Sequence, residues 1–295
     1  MIIDAHQHFY EPGTPRAKGP EDYKMVALPE GVAGTILLTE QEVGLKLAAE
    51  EPLILGIIGK VASSTKPEFS AEIKKWATDP LFRGIRHTGK DLEAPSDGDE
   101  LFFSNMELLA KNDLVLDVFR VCEGGFGGPK SVLAGYTGSP RALAMLEKVA
   151  ERVPNLRIVV SHIAHCPIDG KPMPQPWKEK FQKMAAHPNI YMKVSGLMER
   201  ALWRSDDGGF PNERAPEMLG YYRPTLDALW EIFGEDHLMY GSDWPVCEHA
   251  GDFIGHGLRI VRQYFTEKGD EAYNKFLWKN SIKLYKWKPR TTSQQ

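Results

Sequence analysis

The stretch Ile2-Ile3-Asp4-Ala5-His6-Gln7-His8 opens the chain and governs how the rest of the sequence is interpreted. Its apolar residues run directly into two histidines spaced two positions apart. Because side chains alternate faces along an extended strand, His6 and His8 point to the same side. Two converging imidazoles can bind a metal, polarise a carbonyl or move protons. The competing interpretation is a pair of hydrogen-bonded structural histidines.

Seven further short apolar runs follow, and segments of helical pattern separate them. The predicted strands are Ile2 to His6, Gly34 to Leu38, Leu53 to Val61, Phe82 to His87, Leu114 to Val121, Leu156 to His162, Asn189 to Ser195 and Leu238 to Asp243. The predicted helices are Glu42 to Glu50, Ala71 to Asp79, Glu100 to Lys111, Pro140 to Val153, Trp177 to His187, Thr225 to Phe233, Phe253 to Thr266 and Glu271 to Tyr285. Alternating strands and helices imply a parallel sheet, and eight such units predict a closed (β/α)8 TIM barrel. No composition break marks a second domain, so we expect one domain over residues 1–295.

The composition is that of an ordinary globular protein and excludes several partners. Hydrophobic residues make up 42% of the chain, charged residues 26%, and the net charge is −4. This charge favours neither nucleic acid nor an anionic membrane, and no apolar run approaches the ~20 residues of a membrane span. We expect a small-molecule substrate, while a monomer and a homodimer both remain open.

The three cysteines, Cys122, Cys166 and Cys247, are odd in number and widely spaced. This spacing argues against a disulfide framework and for a reducing compartment, so we expect a cytoplasmic protein. Cys166 lies near His162 in the sequence and Cys247 near Asp243, which raises the alternative of a catalytic thiol. A buried free cysteine more often acts as a small hydrophobic residue.

Two segments are too long to be simple connections: Glu11 to Gly31 after the first predicted strand, and Glu199 to Tyr222 after the seventh. Both follow strands, so in a barrel they would extend over the carboxyl face, where long loops form walls or lids. Trp203 on the second segment and Trp244 after the last strand could stack on a sugar ring.

Polar side chains occur at the ends of the predicted strands, where TIM barrels carry their active residues. These side chains are His6, His8, Arg86, His87, Arg120, His162, Lys193, Ser195 and Asp243. In the seventh strand Ile190, Met192 and Val194 form an apolar face for the helices, which points Lys193 and Ser195 into the barrel. Barrel closure makes the first and last strands neighbours, so the sequence predicts that His6, His8 and Asp243 converge.

Four stretches resemble the amidohydrolase superfamily, in particular its branch of sugar lactonases and pyrone-dicarboxylate lactonases, which includes the L-fucono-1,5-lactonases. They are Asp-Ala-His-Gln-His-Phe at 4 to 9, Gly-Ile-Arg-His at 84 to 87, Lys-Val-Ser-Gly-Leu at 193 to 197 and Gly-Ser-Asp-Trp-Pro-Val-Cys at 241 to 247. The resemblance extends to the ending Asn280 to Tyr285. It implies a (β/α)8 barrel that opens a lactone ring.

The resemblance also implies residue roles. Asp243, His162, His6 and His8 match catalytic positions of the branch. Residues expected to contact substrate are Arg86, His87, Arg120, His165, Lys193, Ser195 and Trp244. Around the middle histidine this chain departs from the branch, because Ser161 replaces an acid and His165 stands about where a basic residue is usual. This departure bears on the choice of substrate more than on the reaction type.

Lactone hydrolysis needs a base for the attacking water, partners for the developing oxyanion and a proton for the leaving oxygen. Asp243 is the expected base and then the acid, while His6, His8 and His162 can polarise the carbonyl. His6, His8, His162 and Asp243 are also candidate ligands of one zinc or manganese ion, although a reaction without metal stays open.

Several alternatives remain at this point. Arg86, Arg120 and Lys193 could form structural ion pairs with residues such as Asp117 instead of binding substrate. The whole site could serve a metal-dependent decarboxylase of the same superfamily. A catalytically inactive barrel that only binds a ligand is the third reading.

Overall fold

The computed structural model describes residues 1–10, 13, 17–122, 139–201, 215–251 and 254–295. Its strands are β1 Ile2–Gln7, β2 Val32–Leu38, β3 Ile54–Gly59, β4 Phe82–Thr88, β5 Val115–Phe119, β6 Arg157–Val160, β7 Ile190–Ser195 and β8 Leu238–Gly241. They form one eight-stranded sheet in the order β1 to β8, and each neighbouring pair is parallel. The predicted TIM barrel is confirmed, and all eight strands were located by their apolar runs.

The barrel closes where β8 returns to β1. Beyond the end of β8, the Asp243 N–H donates to the His6 carbonyl and the His8 N–H donates to the Trp244 carbonyl, both at 2.8 Å. On the amino-terminal side of these bonds, the fully buried Asp4 carboxylate connects β1 to the residue that follows β8. It accepts hydrogen bonds from the backbone N–H of Ser242 at 2.8 Å and from the Ser242 hydroxyl at 2.5 Å. Asp4 therefore acts as a structural clasp at the seam.

Strand side chains alternate between the helices and the barrel interior, as predicted for the seventh strand. Ile190, Met192 and Val194 pack in the hydrophobic layer beneath the helices, whereas Tyr191 belongs to a separate interior cluster. Leu284, Tyr285 and Trp287 of the carboxyl-terminal segment pack in that interior cluster as well. The carboxyl-terminal segment thus fills one end of the barrel, and the polar site lies at the other.

The helices surround this sheet. They are α1 Pro20–Ala27, α2 Gln41–Glu50, α3 Glu68–Trp76, α4 Gly89–Glu93, α5 Glu100–Lys111, α6 Pro140–Arg152, α7 Gln175–Ala185, α8 Leu219–Phe233, α9 Gly255–Glu267, α10 Asp270–Asn274 and α11 Asn280–Tyr285. A π-helical turn, Lys275–Lys279, joins α10 to α11, so the predicted helix over Glu271 to Tyr285 is interrupted.

Three helices differ from the sequence-based expectation. α1 lies inside the stretch that we expected to be a loop, where Pro20 occupies its first turn. α4 was not predicted; Thr88 caps its amino terminus. α8 begins six residues before the predicted start and contains Pro224 at its sixth position, where the helix lacks one backbone hydrogen bond. The predicted loop at Glu199 to Tyr222, with Trp203, lies largely outside the described residues.

Asp4→Ala is expected to lower the free energy of unfolding by about 3 kcal/mol. The substitution removes the hydrogen-bond acceptor of the buried Ser242 N–H and of the Tyr23 hydroxyl, which donates to the same carboxylate at 2.8 Å. Denaturant unfolding measures this change. The matched control is Glu107→Ala on the exposed face of α5, for which we expect less than about 0.5 kcal/mol. Equal midpoints for the two variants would contradict the assignment of Asp4 as the clasp.

Candidate functional site

His6 at the end of β1, His8 directly after β1 and Asp243 after β8 meet at the carboxyl end of the barrel. Asp243 Oδ1 lies 3.5 Å from His6 Nε2 and 3.4 Å from His8 Nε2. The three donor atoms all lie within 4.8 Å of one another. The predicted convergence across the closing seam is therefore present in the structure.

The His8 ring has a fixed orientation. Its Nδ1 lies 2.8 Å from the carbonyl oxygen of Leu38, and because a carbonyl can only accept, Nδ1 carries the hydrogen. The Nε2 lone pair of His8 consequently faces Asp243. Burial lowers the pKa of His8 to about 4 and that of His6 well below its usual range, so both rings are neutral at pH 7.

These residues fit a small divalent cation. Neutral imidazole nitrogens and a carboxylate oxygen are the ligands that zinc and manganese accept. His8 has its second nitrogen bound to a backbone carbonyl, as metal-binding histidines usually do. His6 Nε2 is buried and makes no hydrogen bond. His162 lies outside this group of three, because its Nδ1 faces Asp243 Oδ2 at 3.4 Å.

Asp243 itself adopts an unusual backbone conformation, with a φ of 61°. This left-handed geometry turns the chain sharply after β8 and directs the carboxylate towards β1. Burial raises the pKa of Asp243 to about 6, against the opposing effect of the nearby Arg86 guanidinium and a hydrogen bond with Glu199. A carboxylate with this pKa is ionised at pH 7 and is still basic enough to take up a proton.

His162 begins a left-handed turn that ends β6. The φ angles of His162, Ile163, Ala164 and His165 are 58°, 52°, 49° and 66°. Each such residue costs roughly 1–2 kcal/mol relative to the right-handed form. The turn brings both histidines to the mouth of the barrel, where their ring centroids lie 5.3 Å apart.

The hydrogen bonds of His162 direct its ring towards Asp243. Arg86 Nη2 lies 3.3 Å from His162 Nε2, and since a guanidinium only donates, Nε2 accepts and Nδ1 carries the hydrogen. That hydrogen points at Ser195 Oγ, 3.1 Å away, and at Asp243 Oδ2. The arrangement turns the hydrogen-bearing nitrogen of His162 towards the aspartate, 3.4 Å from Asp243 Oδ2.

One wall of the site is cationic and aromatic. Phe119 at the end of β5 lies between two guanidinium groups, with the Arg86 Cζ 4.0 Å and the Arg120 Cζ 4.9 Å from its ring centroid. His165 faces the same ring at 6.1 Å. Burial lowers the pKa of His165 well below its usual range, so this imidazole is neutral beside the two arginines. The wall can donate hydrogen bonds to hydroxyl or carboxylate oxygens.

Lys193 and Ser195 point into the barrel as predicted, but both are fully buried behind the histidines. The Lys193 ammonium forms an ion pair with Asp117 at 2.5 Å. Ser195 accepts a hydrogen bond from the His162 backbone N–H at 3.1 Å. Of the alternatives left open, structural ion pairing with Asp117 describes Lys193. The expected contacts of Lys193 and Ser195 with substrate stay a prediction.

His87 and Trp244 pack against other side chains in the structure, and their expected contacts with substrate stay a prediction. Strand alternation turns His87 to the side opposite Arg86, where its ring contacts Ser64 Oγ at 2.8 Å. The Trp244 indole is completely buried, with its ring centroid 5.3 Å from that of Tyr23 and its N–H donating to Glu248 at 2.9 Å.

Sequence reasoning missed Phe119, Glu199 and Arg200. Glu199 is buried and hydrogen-bonded to Asp243, and the charge of Arg200 lowers the pKa of His165. Gly196 makes room for Glu199, because a Cβ at its left-handed backbone would lie 2.5 Å from Glu199 Oε2. The glycine following Lys193 and Ser195 was the available signal for this close approach.

The three cysteines are buried and none forms a disulfide within the described residues, as expected for small hydrophobic residues. Burial raises the pKa of Cys122 to about 12 and that of Cys166 well above its usual range. These two thiols are therefore protonated at pH 7, which argues against the alternative of a catalytic thiolate at Cys166.

In this TIM barrel two histidines at the end of the first strand lie beside an aspartate that follows the last strand. This is the architecture of amidohydrolase-type enzymes. The chain belongs to the Amidohydrolase family, whose profile matches residues 3–287. The predicted family and the prediction of a hydrolytic enzyme are confirmed. None of the helices in the described part of the chain has the length and apolar character to traverse a lipid bilayer.

Individual relatives agree with this assignment. Over 280 residues the chain is 29% identical to an L-fucono-1,5-lactonase of Burkholderia ambifaria, with 88% of this chain and 85% of that protein covered. A solved amidohydrolase from Burkholderia multivorans with bound zinc has a TM-score of 0.74 at 21% identity, covering 98% of this chain and 100% of that chain.

A third relative has a different activity. It is a 5-carboxyvanillate decarboxylase from Novosphingobium aromaticivorans, solved with manganese, with a TM-score of 0.65 at 14% identity and coverage of 97% of this chain and 96% of that chain. At these identities the two solved structures establish the shared fold alone.

The raised pKa of Asp243 predicts a pH dependence for the metal-free protein. Only the ionised carboxylate can accept a proton. The kcat/KM of the hydrolytic reaction should therefore be constant above pH 7 and should fall about tenfold per pH unit below the pKa of about 6. The measurement is a pH–rate profile in the presence of a chelator. A profile that stays flat down to pH 4.5 would show that Asp243 is not the titrating base.

Proposed function

We propose that this protein hydrolyses lactones, with sugar aldonolactones of the fuconolactone or rhamnonolactone type as substrates. The observation that carries the proposal is the convergence of Asp243 with His6 and His8 at the mouth of the barrel. An L-fucono-1,5-lactonase that matches 88% of this chain supports the substrate class.

In the proposed reaction Asp243 removes a proton from water as the water oxygen attacks the ring carbonyl carbon. His8 accepts the second hydrogen bond of that water, because its Nε2 presents a lone pair towards Asp243. His6 contacts the carbonyl oxygen and stabilises its developing negative charge. When the ring C–O bond breaks, Asp243 returns the proton to the leaving oxygen, and the product is an open-chain hydroxy acid.

His162 positions the base in this scheme. Arg86 holds the His162 ring so that Nδ1–H points at Asp243 Oδ2, which fixes the carboxylate and leaves Oδ1 for the water. Arg86, Arg120 and His165 would bind the hydroxyl groups of the substrate. The wall around Phe119 supports this assignment, because it presents several donors beside the base.

A single divalent ion, zinc or manganese, would be held by His6, His8 and Asp243 and would polarise the carbonyl when bound. The zinc-bound and manganese-bound relatives support this choice of metals. We further propose one domain over residues 1–295 and a cytoplasmic location, which remain predictions from the sequence.

Asp243→Asn is expected to lower kcat on aldonolactones by about 10²- to 10⁴-fold, because the amide cannot accept the proton of the attacking water. A pH-indicator assay over a panel of 1,4- and 1,5-aldonolactones measures the rate. The matched control is Asp97→Asn, an exposed aspartate paired with Lys148, which should retain full activity. Wild-type protein that opens no lactone in the panel would contradict the proposed function.

Elemental analysis should find at most one equivalent of divalent metal per chain, since the described residues bring together one group of three donors with no second bridging ligand. His8→Ala should reduce the amount of bound metal. The control His87→Ala should leave that amount unchanged, because His87 is not among the three candidate ligands. Two equivalents per wild-type chain would contradict the one-ion site.

Decarboxylation is the second candidate, favoured by the fit of the three donors to a divalent ion and by the manganese-bound decarboxylase of the same fold. Release of carbon dioxide from an aromatic hydroxy acid, abolished by a chelator, would support it. Lactone opening that survives a chelator would favour the hydrolase.

A further inference from the structure

Behind His6, on the side away from Asp243, the structure contains a closed polar network of Asp117, Ser161 and Lys193. All three side chains and His6 are completely shielded from solvent. The reaction described above does not use this network. Its members contact His6 at Nδ1, the ring nitrogen opposite the one that faces the active site.

Each hydrogen in this network can be assigned from its partners. The single Ser161 hydroxyl hydrogen donates to Asp117 Oδ1 at 2.8 Å. The Lys193 ammonium donates to Asp117 Oδ2 at 2.5 Å, and a second of its hydrogens faces His6 Nδ1 at 3.3 Å. The same ammonium lies 5.4 Å from the centroid of the Tyr285 ring. Lys193 therefore has three acceptors for its three hydrogens.

Two forms of a neutral His6 ring are compatible with this geometry. In one, Lys193 donates to Nδ1, so the hydrogen of the ring lies on Nε2 and points at Asp243 Oδ1. In the other, Nδ1 carries the hydrogen and donates to Ser161 Oγ at 3.2 Å, which leaves a lone pair on Nε2. Only the second form can bind a metal through Nε2.

Lys193 opposes the second form. An ammonium can only donate, so at 3.3 Å a hydrogen on His6 Nδ1 would face the hydrogens of the cation. Ser161 favours that form. A hydrogen bond from His6 Nδ1 to the neutral serine oxygen is weaker than the hydrogen bond that the charged Lys193 ammonium donates to Nδ1. The ion pair with Asp117 keeps the ammonium in place.

We propose that the Asp117–Lys193 pair is a positioning device that holds His6 in the Nε2–H form, so that His6 donates a hydrogen bond at the active site and binds a divalent metal weakly. This deepens the proposed function, because it assigns His6 the role of carbonyl donor in that reaction. It makes His8 and His6 complementary, with one accepting and the other donating at Nε2. Lys193 thereby sets the balance between hydrolysis without metal and a metal-bound site.

The test measures zinc dissociation constants by competition with a chromophoric chelator, without any substrate. The double variant Asp117→Asn/Lys193→Met removes both charges together and so avoids an unpaired buried ion. We expect it to bind zinc about 10- to 100-fold more tightly than wild type, the usual size of an effect on a group that orients a metal ligand. Lys193→Met alone is the second variant, with the same expected direction.

Ser161→Ala is the matched control, because it removes the acceptor that the described residues offer to a hydrogen on Nδ1 and leaves every charge in place. The proposal predicts weaker zinc binding for this variant, opposite to the change in the lysine variants. A simple electrostatic effect of Lys193 on the metal would leave Ser161→Ala unchanged. Loss of affinity in all variants would indicate a structural network and would overturn the proposal.

Nitrogen-15 NMR of the metal-free protein reads the form of the ring directly, with His6→Gln to assign the signals. Wild type should show a protonated Nε2 and an unprotonated Nδ1 for His6, and the double variant should show the reverse. A protonated Nδ1 in wild type would overturn the proposal. Because neither measurement involves a lactone, failure of this inference is distinguishable from failure of the proposed hydrolysis.

Discussion

The attachment of β8 to β1 is the constraint on which the site depends. Asp4 connects the strands from below through Ser242, and backbone hydrogen bonds from Asp243 and His8 complete the seam. A parallel barrel has no edge strand once this junction forms, so its backbone groups are satisfied on every side. The same junction fixes His6, His8 and Asp243 within hydrogen-bonding reach. Closure of the fold and assembly of the site are thus one event.

The site also carries backbone strain that the closed barrel must support. Asp243 and the four residues from His162 to His165 have left-handed φ angles. None of them is glycine, so each conformation is unfavourable in isolation. The rigid sheet on both sides compensates by fixing the strand ends, and the strained turns present the carboxylate and imidazole groups to one another. Such strain at strand ends is characteristic of sites that must hold polar groups in a single geometry.

Charge is arranged in two layers. The deeper one holds the Asp117–Lys193 ion pair, completely buried in the barrel. The upper one holds Asp243 among neutral histidines, with Arg86 near enough to oppose the rise in its pKa. Burial keeps the imidazoles uncharged, so they act through lone pairs and N–H groups and not as cations. The direction of each hydrogen bond therefore matters more at this site than net charge.

The sequence by itself determined the eight strands, their parallel order and the convergence of His6, His8 and Asp243. Short runs that are continuously apolar, or apolar at every second residue, specify buried strands. Eight such strands alternating with helices predict a closed barrel, in which the first and last strands are neighbours. It also determined that Lys193 faces inward, from the apolar alternation of Ile190, Met192 and Val194. Only the tertiary structure decided what each inward group touches. Lys193 lies deep in the barrel and contacts Asp117, whereas Arg86 lies at the mouth. The local sequence does not indicate how far along the barrel axis an inward side chain lies. The partners of His87 and Trp244 were likewise decided by the tertiary structure. Alternation along β4 turns His87 away from Arg86 and towards Ser64, and Trp244 packs against Tyr23 where the chain turns after β8.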